Sequence, residues 1–185
     1  MRTPLRRWSA AHVVLASGAW AGAAIDSAPP LPIRPVRGQL ASLRGPALPS
    51  IVWDDAIYLV PRADGGVTAG ATVEDVGFEC RVTSDGVRSL LARAAQLVPA
   101  LAEAAFEGAR AGLRPATPDG LPLVGPAPDA PGLLLALGHH RNGILLSATT
   151  AALVADLVLG RALPAAARAF RPDRFAIPAA GAAAR

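Results

Sequence analysis

Apolar positions along this chain fall into short runs, broken by Gly, Pro and Asp and repeating with a period near 2 or 3.6. His12-Val13-Val14-Leu15-Ala16 reads as a buried strand, which Ser17-Gly18 turns into a short helical segment over residues 19–23. Ala28-Pro29-Pro30-Leu31-Pro32 marks a stiff crossing segment. Residues 33–43 alternate apolar with polar side chains, the pattern of a half-exposed strand. Residues 56–62 and 67–73 form a further strand pair joined by Ala63-Asp64-Gly65-Gly66, a hairpin signal. Thr83-Ser84-Asp85-Gly86 then caps a helix whose apolar positions Val87, Leu90, Leu91, Ala94, Ala95 and Val98 recur at helical spacing, and Pro99 ends it.

In the second half, residues 106–115 read as a strand, Ala116-Thr117-Pro118-Asp119-Gly120 as a turn and residues 121–125 as a short strand. After a loop over residues 126–131, residues 132–138 are an unbroken apolar run, typical of a strand buried on both faces. Residues 144–159 predict an apolar helix ended by Gly160-Arg161. The Ala/Pro-rich residues 164–185 are expected to fray beyond Phe175. Strands and helices together predict an α/β protein. The opening strand has no element ahead of it to pair with, which points to a truncated fold.

Composition narrows the class. Hydrophobic residues make up 52% of the 185 and charged residues 17%, so a sizeable core is available and general disorder is excluded. Aromatics are only 4%, so aliphatic residues and Ala must fill that core. All 18 basic residues are Arg, scattered through a chain of net charge +4. No basic run tracks a phosphate backbone, which argues against a nucleic-acid partner. The single Cys80 allows neither an internal disulfide nor a Cys-based metal cluster, and a reducing, cytoplasmic setting is the default. Arg6-Arg7 precede an apolar run over residues 10–25 in the manner of a secretory signal. That run is diluted by His12, Gly18, Trp20 and Gly22, and the strand reading suits it better. No stretch reaches the roughly 20 apolar residues that span a bilayer.

Three places carry candidate chemistry. Gly138-His139-His140-Arg141-Asn142-Gly143-Ile144-Leu145-Leu146 is a polar, Gly-punctuated loop between an apolar strand and an apolar helix, and such a loop aims free backbone N–H groups at a ligand. His139 and His140 have no acidic or histidine partners at metal-ligand spacing, so they read as loop lining. Arg114, stiffened by Pro115, is either a bidentate partner for a small carboxylate or one half of a structural ion pair. Tyr58, the only tyrosine, either adds a hydrogen bond to the same carboxylate or packs as a strand aromatic.

Several segments occur in an order that carries a resemblance. They are Val13-Val14-Leu15-Ala16-Ser17-Gly18-Ala19-Trp20, Pro35-Val36-Arg37-Gly38-Gln39, Tyr58-Leu59-Val60-Pro61-Arg62 and Gly70-Ala71-Thr72-Val73-Glu74. Gly112-Leu113-Arg114-Pro115, Thr117-Pro118-Asp119-Gly120-Leu121-Pro122 and the loop at 138–146 complete the set. Over residues 10–175 the chain resembles the C-terminal part of the D-amino-acid-oxidase superfamily of FAD-dependent flavoproteins, within it the glycine-oxidase branch of thiamine biosynthesis.

The resemblance implies an antiparallel-sheet substrate domain with one helix over residues 28–115. It further implies pieces of an FAD-binding domain at 1–27 and 116–163, and a C-terminal tail at 164–185. It places Tyr58, Arg114 and Arg141 on the substrate, and His139, His140, Arg141, Asn142, Gly143, Ile144 and Leu145 along the flavin. No catalytic acid or base is implied, because a hydride passes directly from substrate to FAD. Gly38, Gly112 and Asp119 read as turn and strand-packing residues. Cys80 does not match the flavin-tethering cysteine of sarcosine-oxidase relatives, and Arg110 stands where the family often has Trp.

No Gly-x-Gly-x-x-Gly occurs in the chain. The N-terminal Rossmann βαβ unit that grips the ADP half of FAD is therefore expected to be missing. The implied activity is oxidation of glycine or another small amine or amino acid to the imino acid, with oxygen reduced to hydrogen peroxide. The alternatives that stay open are a non-catalytic remnant, a fragment dependent on a partner such as a chain carrying the missing FAD half, and an amino-acid dehydrogenase relative.

Overall fold

The structure, a computed structural model, describes residues 8–23, 31–128 and 130–175. Ala28-Pro29-Pro30 of the crossing segment and the tail beyond Phe175 lie outside the described residues. Among those described, the strands are β1 (Val13–Leu15), β2 (Arg34–Arg44), β3 (Val52–Trp53), β4 (Tyr58–Pro61), β5 (Gly66–Gly70), β6 (Ala105–Ala116), β7 (Leu123–Pro126) and β8 (Leu133–Leu137). The α-helices are α1 (Ser84–Leu97) and α2 (Ser147–Val158). Mixed sheets and helices bear out the α/β reading. The chain divides into two units, Pro35–Arg114 and Met1–Arg34 with Pro115–Arg185.

The first unit is a five-stranded sheet in the order β3-β4-β5-β2-β6, backed by α1. Its hairpin closes where the sequence placed it: Gly65 takes φ +79° and Arg62 N–H donates to Gly66 O at 2.8 Å. Thr83 caps α1, its Oγ1 accepting the Gly86 N–H at 3.2 Å, and Pro99 opens a 3-10 turn directly after the helix. Leu90 and Ala94 of the helix bury against Ala41, Leu43, Leu59, Val67 and Ala69 of the sheet. Each fully buried Leu or Val there contributes about 1.5–3 kcal/mol, the main force holding helix to sheet.

In the second unit, β8 lies between β1, which pairs with it in parallel, and β7, which pairs antiparallel. Leu15, Ala21, Leu123, Leu135 and Leu137 form one core, while Leu153 of α2 packs with Val124 and Ala167 in another.

Three expectations need correction. The second helix starts at Ser147, not Ile144, because a 3-10 turn at His140–Asn142 and the turn that follows it take up the backbone first. Strand β8 is buried at Leu134, Leu135 and Leu137 but only half-buried at Leu133 and Ala136, so its apolar run overstates its burial. Strand β2, expected to be half-exposed, is buried at residues 35–39, Ala41 and Leu43, because it lies inside the sheet between β5 and β6 and packs on α1. Ahead of Phe175, the stretch from Pro164 forms 3-10 turns at Ala165–Phe170 and Pro172–Arg174.

Candidate functional site

Strand register decides which side chains share a surface. Tyr58 on β4 lies opposite Gly70 on β5, and Gly70 lies opposite Leu40 on β2. Cross-strand partners point to the same face, and so do residues two apart on one strand. Gly38 therefore stands on the face of Tyr58 and Leu40. Ala41, Leu43 and Leu59 point to the opposite face, toward α1.

Arg114 reaches this first face from the end of β6. Its guanidinium lies flat on Gly38: a Cβ there would sit 2.1 Å from Nη1 and 2.3 Å from Cζ and Nη2. Nη1 donates to the Thr72 carbonyl at 3.1 Å. No carboxylate among the described residues pairs with Arg114, so the structural ion pair that the sequence allowed is not formed. Tyr58 is half-buried with its ring over Gly70, where a Cβ would come within 2.9 Å of the phenol oxygen. The face thus carries one partly buried, carboxylate-free guanidinium and one phenol above a floor of two glycines.

Thr72 belongs to a polar network with Gln39, Glu74 and Arg37. Thr72 Oγ1 accepts the Gln39 N–H at 2.8 Å and donates to Glu74 Oε1. Glu74 Oε1 also accepts from Gln39 Nε2 at 2.8 Å, and Glu74 Oε2 accepts from Arg37 through both Nε and Nη2. Burial works to raise the Glu74 carboxyl, but the hydrogen bonds from Arg37, Thr72 and Gln39 outweigh it and hold the group below its ordinary range. The acceptor that fixes Arg114 is itself fixed by a partly buried ion pair.

The loop at 138–146 belongs to the other unit. Gly138 takes φ +75°, and a Cβ there would come 2.6 Å from Thr117 Cγ2. His139 Nε2 shares a 2.8 Å hydrogen bond with Thr150 Oγ1, and burial pushes the His139 imidazole pKa down. His140 turns the chain at φ +48°. Arg141 and Asn142 are exposed, and the apolar Ile144 and Leu145 stand out at 94% and 79% exposure. Among the described residues the N–H groups of Ile144 and Leu145 find no backbone acceptor. Beside them opens a groove of about 340 Å³ walled by Val14, Ala16, Ala136, Gly143, Ala151 and Val154, with His139, Ser147 and Thr150 at its polar positions.

Small, mostly apolar walls next to two N–H donors without a backbone acceptor fit the flavin end of an FAD: the ring stacks on apolar surface and its pyrimidine edge presents acceptors. Sequence reasoning had these donors opening the helix, whereas they sit in the turn ahead of it. The structure brings Tyr58 and Arg114 to one sheet face and gathers 139–145 into one loop. Sequence reasoning missed Thr72, and it assigned Gly38 to packing without its partner. A glycine in the interior of an otherwise regular strand was the available signal for a close approach.

The FAD-dependent oxidoreductase family (DAO) matches residues 3–157. The glycine oxidase of Pseudomonas aeruginosa is 41% identical over 152 residues, covering 80% of this chain and 42% of that protein. The bifunctional protein ThiO/ThiG of Synechocystis sp. is 44% identical over 169 residues, 88% of this chain and 25% of that protein. Among solved structures, glycine oxidase from Geobacillus kaustophilus matches with a TM-score of 0.81 at 40% identity, over 89% of this chain and 45% of that one. Iminodiacetate oxidase from Chelativorans sp. BNC1 matches at 0.83 and 28% identity, over 90% and 47%. The chain spans less than half the length of each of these relatives. No helix among the described residues is long and apolar enough to cross a membrane. With its match over most of its length and relatives above 40% identity, the chain belongs to the DAO family of FAD-dependent oxidoreductases.

Proposed function

We propose that this chain forms the substrate face and flavin-ring wall of an oxidase acting on glycine or another small amine or amino acid, in thiamine biosynthesis. The observation that carries the reading is Arg114, a partly buried guanidinium with no carboxylate partner among the described residues, on the same face as Tyr58. Such an arginine is matched by a ligand carboxylate, held by two parallel N–H···O bonds. Tyr58 supplies a further O–H donor to that carboxylate, and Arg141 is assigned to the substrate from its loop.

Bound FAD supplies acceptance of a hydride from the substrate α-carbon and transfer of the two electrons to oxygen, giving hydrogen peroxide. Arg114 and Tyr58 fix the carboxylate end, which leaves the α-carbon one bond away in a single orientation. The N–H groups of Ile144 and Leu145 favour negative charge at the flavin edge, and His139, His140, Asn142 and Gly143 line that loop. The amine must be neutral to lose a hydride, and its proton leaves to solvent. The imino acid is then hydrolysed by water outside the protein's own chemistry. We assign the ADP half of FAD to a segment other than these residues, either elsewhere in a longer protein or on a second chain.

The test is the visible spectrum of the purified protein supplied with FAD. Where the chain alone stays colourless, the first half of a glycine-oxidase-family flavoprotein is added as a separate chain. A yellow protein bleached by glycine, sarcosine or a small D-amino acid, with peroxide formed in air, supports the reading. A yellow protein that none of them bleaches overturns it, and bleaching without peroxide favours the dehydrogenase alternative.

A further inference from the structure

We propose that Gly38 and the Thr72 carbonyl form a built seat that positions Arg114 for a carboxylate, making Gly38 a positioning residue. The inference rests on the reading of Arg114 as the carboxylate partner. Gly38 lies inside β2, where glycine weakens a strand and offers no side chain to pack. Its φ is not among the left-handed values, so the backbone there suits any residue. The three atoms nearest to a Cβ at Gly38 all belong to the Arg114 guanidinium. The nearest neighbour that the missing side chain makes room for is therefore the candidate clamp.

The second half of the seat is equally specific. Thr72 is locked to β2 by its N–H on the Gln39 carbonyl at 3.3 Å and by its Oγ1 on the Gln39 N–H. Its carbonyl takes one Nη1 hydrogen of Arg114. The glycine below and the carbonyl beside it select one rotamer of a long, flexible side chain. The remaining donors, on Nη2 and Nε, have no acceptor among the described residues, which leaves an edge for bidentate binding. Any side chain at Gly38 displaces the guanidinium without touching its charge.

Three variants of the full chain, Gly38→Ala, Arg114→Ala and the double variant, test this. They are compared by urea midpoint, by the Arg Nε–H resonances (the Arg114 signal identified by its loss in Arg114→Ala) and by titration with glycolate as a carboxylate probe. The seat predicts that Gly38→Ala shifts the Arg114 resonance, weakens glycolate binding at least tenfold and lowers the urea midpoint. Adding Gly38→Ala to Arg114→Ala is expected to leave the midpoint unchanged, because the clashing group is gone. An unmoved Arg114 resonance with unchanged glycolate affinity overturns the proposal, and so does an equal loss of midpoint in both backgrounds. If Gly38→Ala alone does not fold, recovery of a folded protein in the double variant supports the seat and failure of both overturns it. Unchanged glycolate affinity in Arg114→Ala itself overturns the clamp reading instead, a result visible without the Gly38 variants.

Discussion

Gln39 and Thr83 hold each other through reciprocal hydrogen bonds: Gln39 Nε2 donates to Thr83 Oγ1 at 3.0 Å, and the Thr83 N–H donates to Gln39 Oε1 at 2.8 Å. Thr83 is the N-cap of α1 and Gln39 is fully buried in β2, so this pair ties the first turn of the helix to the middle of the sheet. Gln39→Leu preserves approximate volume but strands the Thr83 N–H and removes one of the two hydrogen bonds to Glu74 Oε1, which keeps the one from Thr72. A stranded buried donor costs about 1–3 kcal/mol and a lost hydrogen bond about 0.5–1.5 kcal/mol, so a loss of about 2–4 kcal/mol in urea denaturation is expected. A loss under about 0.5 kcal/mol would mean that water replaces the amide without penalty.

Gly86, in the first turn of the same helix, gives a sign reversal. Replacing a helical glycine by alanine ordinarily stabilises by about 1 kcal/mol. Here the new Cβ would lie 2.3 Å from Gln39 Nε2 and 2.6 Å from Cδ, against an amide that is held at both ends. Gly86→Ala is expected to destabilise by about 1–3 kcal/mol, as overpacking does. In a Gln39→Ala background the same change should be neutral or stabilising. Thermal unfolding of the four proteins in that cycle decides it, and additive effects would rule out the contact as the cause.

Local signals in this chain were legible and non-local ones were not. The turn at Asp64-Gly65, the Thr83 cap and the stop at Pro99 are written in neighbouring residues, and the structure has each of them. Strand β3 was missed because two residues carry no period: Val52 and Trp53 are strand only through pairing with Leu59 and Tyr58. Arg37, Gln39 and Glu74 gave no sign of their network, since Glu74 lies 37 residues from Arg37 and 35 from Gln39. Tyr58 and Arg114 could be singled out by residue type and by resemblance. That they share a face depends on the register of β4, β5 and β2, which no local pattern encodes.

The two members of that face should differ in weight. On the proposed reading, Arg114→Ala removes the positive charge held at Gly38 and leaves a substrate carboxylate unpaired, a penalty of about 3–5 kcal/mol in kcat/KM. Tyr58→Phe removes a single neutral donor, about 0.5–1.5 kcal/mol, and keeps the ring over Gly70. Steady-state oxidation of glycine by the FAD-loaded protein should show this order, with the Arg114 loss appearing largely in KM. Equal effects, or a larger one for Tyr58, would move the carboxylate away from Arg114.

Asp119 and Arg174 provide the clearest pH dependence. Arg174 donates to Asp119 through Nε at 2.7 Å and Nη2 at 3.1 Å, joining the turn after β6 to the 3-10 turn at Pro172–Arg174. Those bonds, with a further one from the Leu121 N–H, hold the Asp119 carboxyl far below its ordinary value of 3.8, against a smaller opposing effect of burial. A carboxyl whose value is lowered by folding contributes stability in full above its unfolded value and loses it as pH falls toward the folded one. The stability difference between the natural protein and Asp119→Asn should therefore be constant from about pH 7 to about pH 5 and shrink steadily below about pH 4. Because the pair is partly exposed, salt should also reduce the difference. Urea denaturation at several pH values measures it, and a difference that stays the same at about pH 3 as at about pH 7 would show that Asp119 stabilises the turn by its hydrogen-bond geometry rather than by its charge.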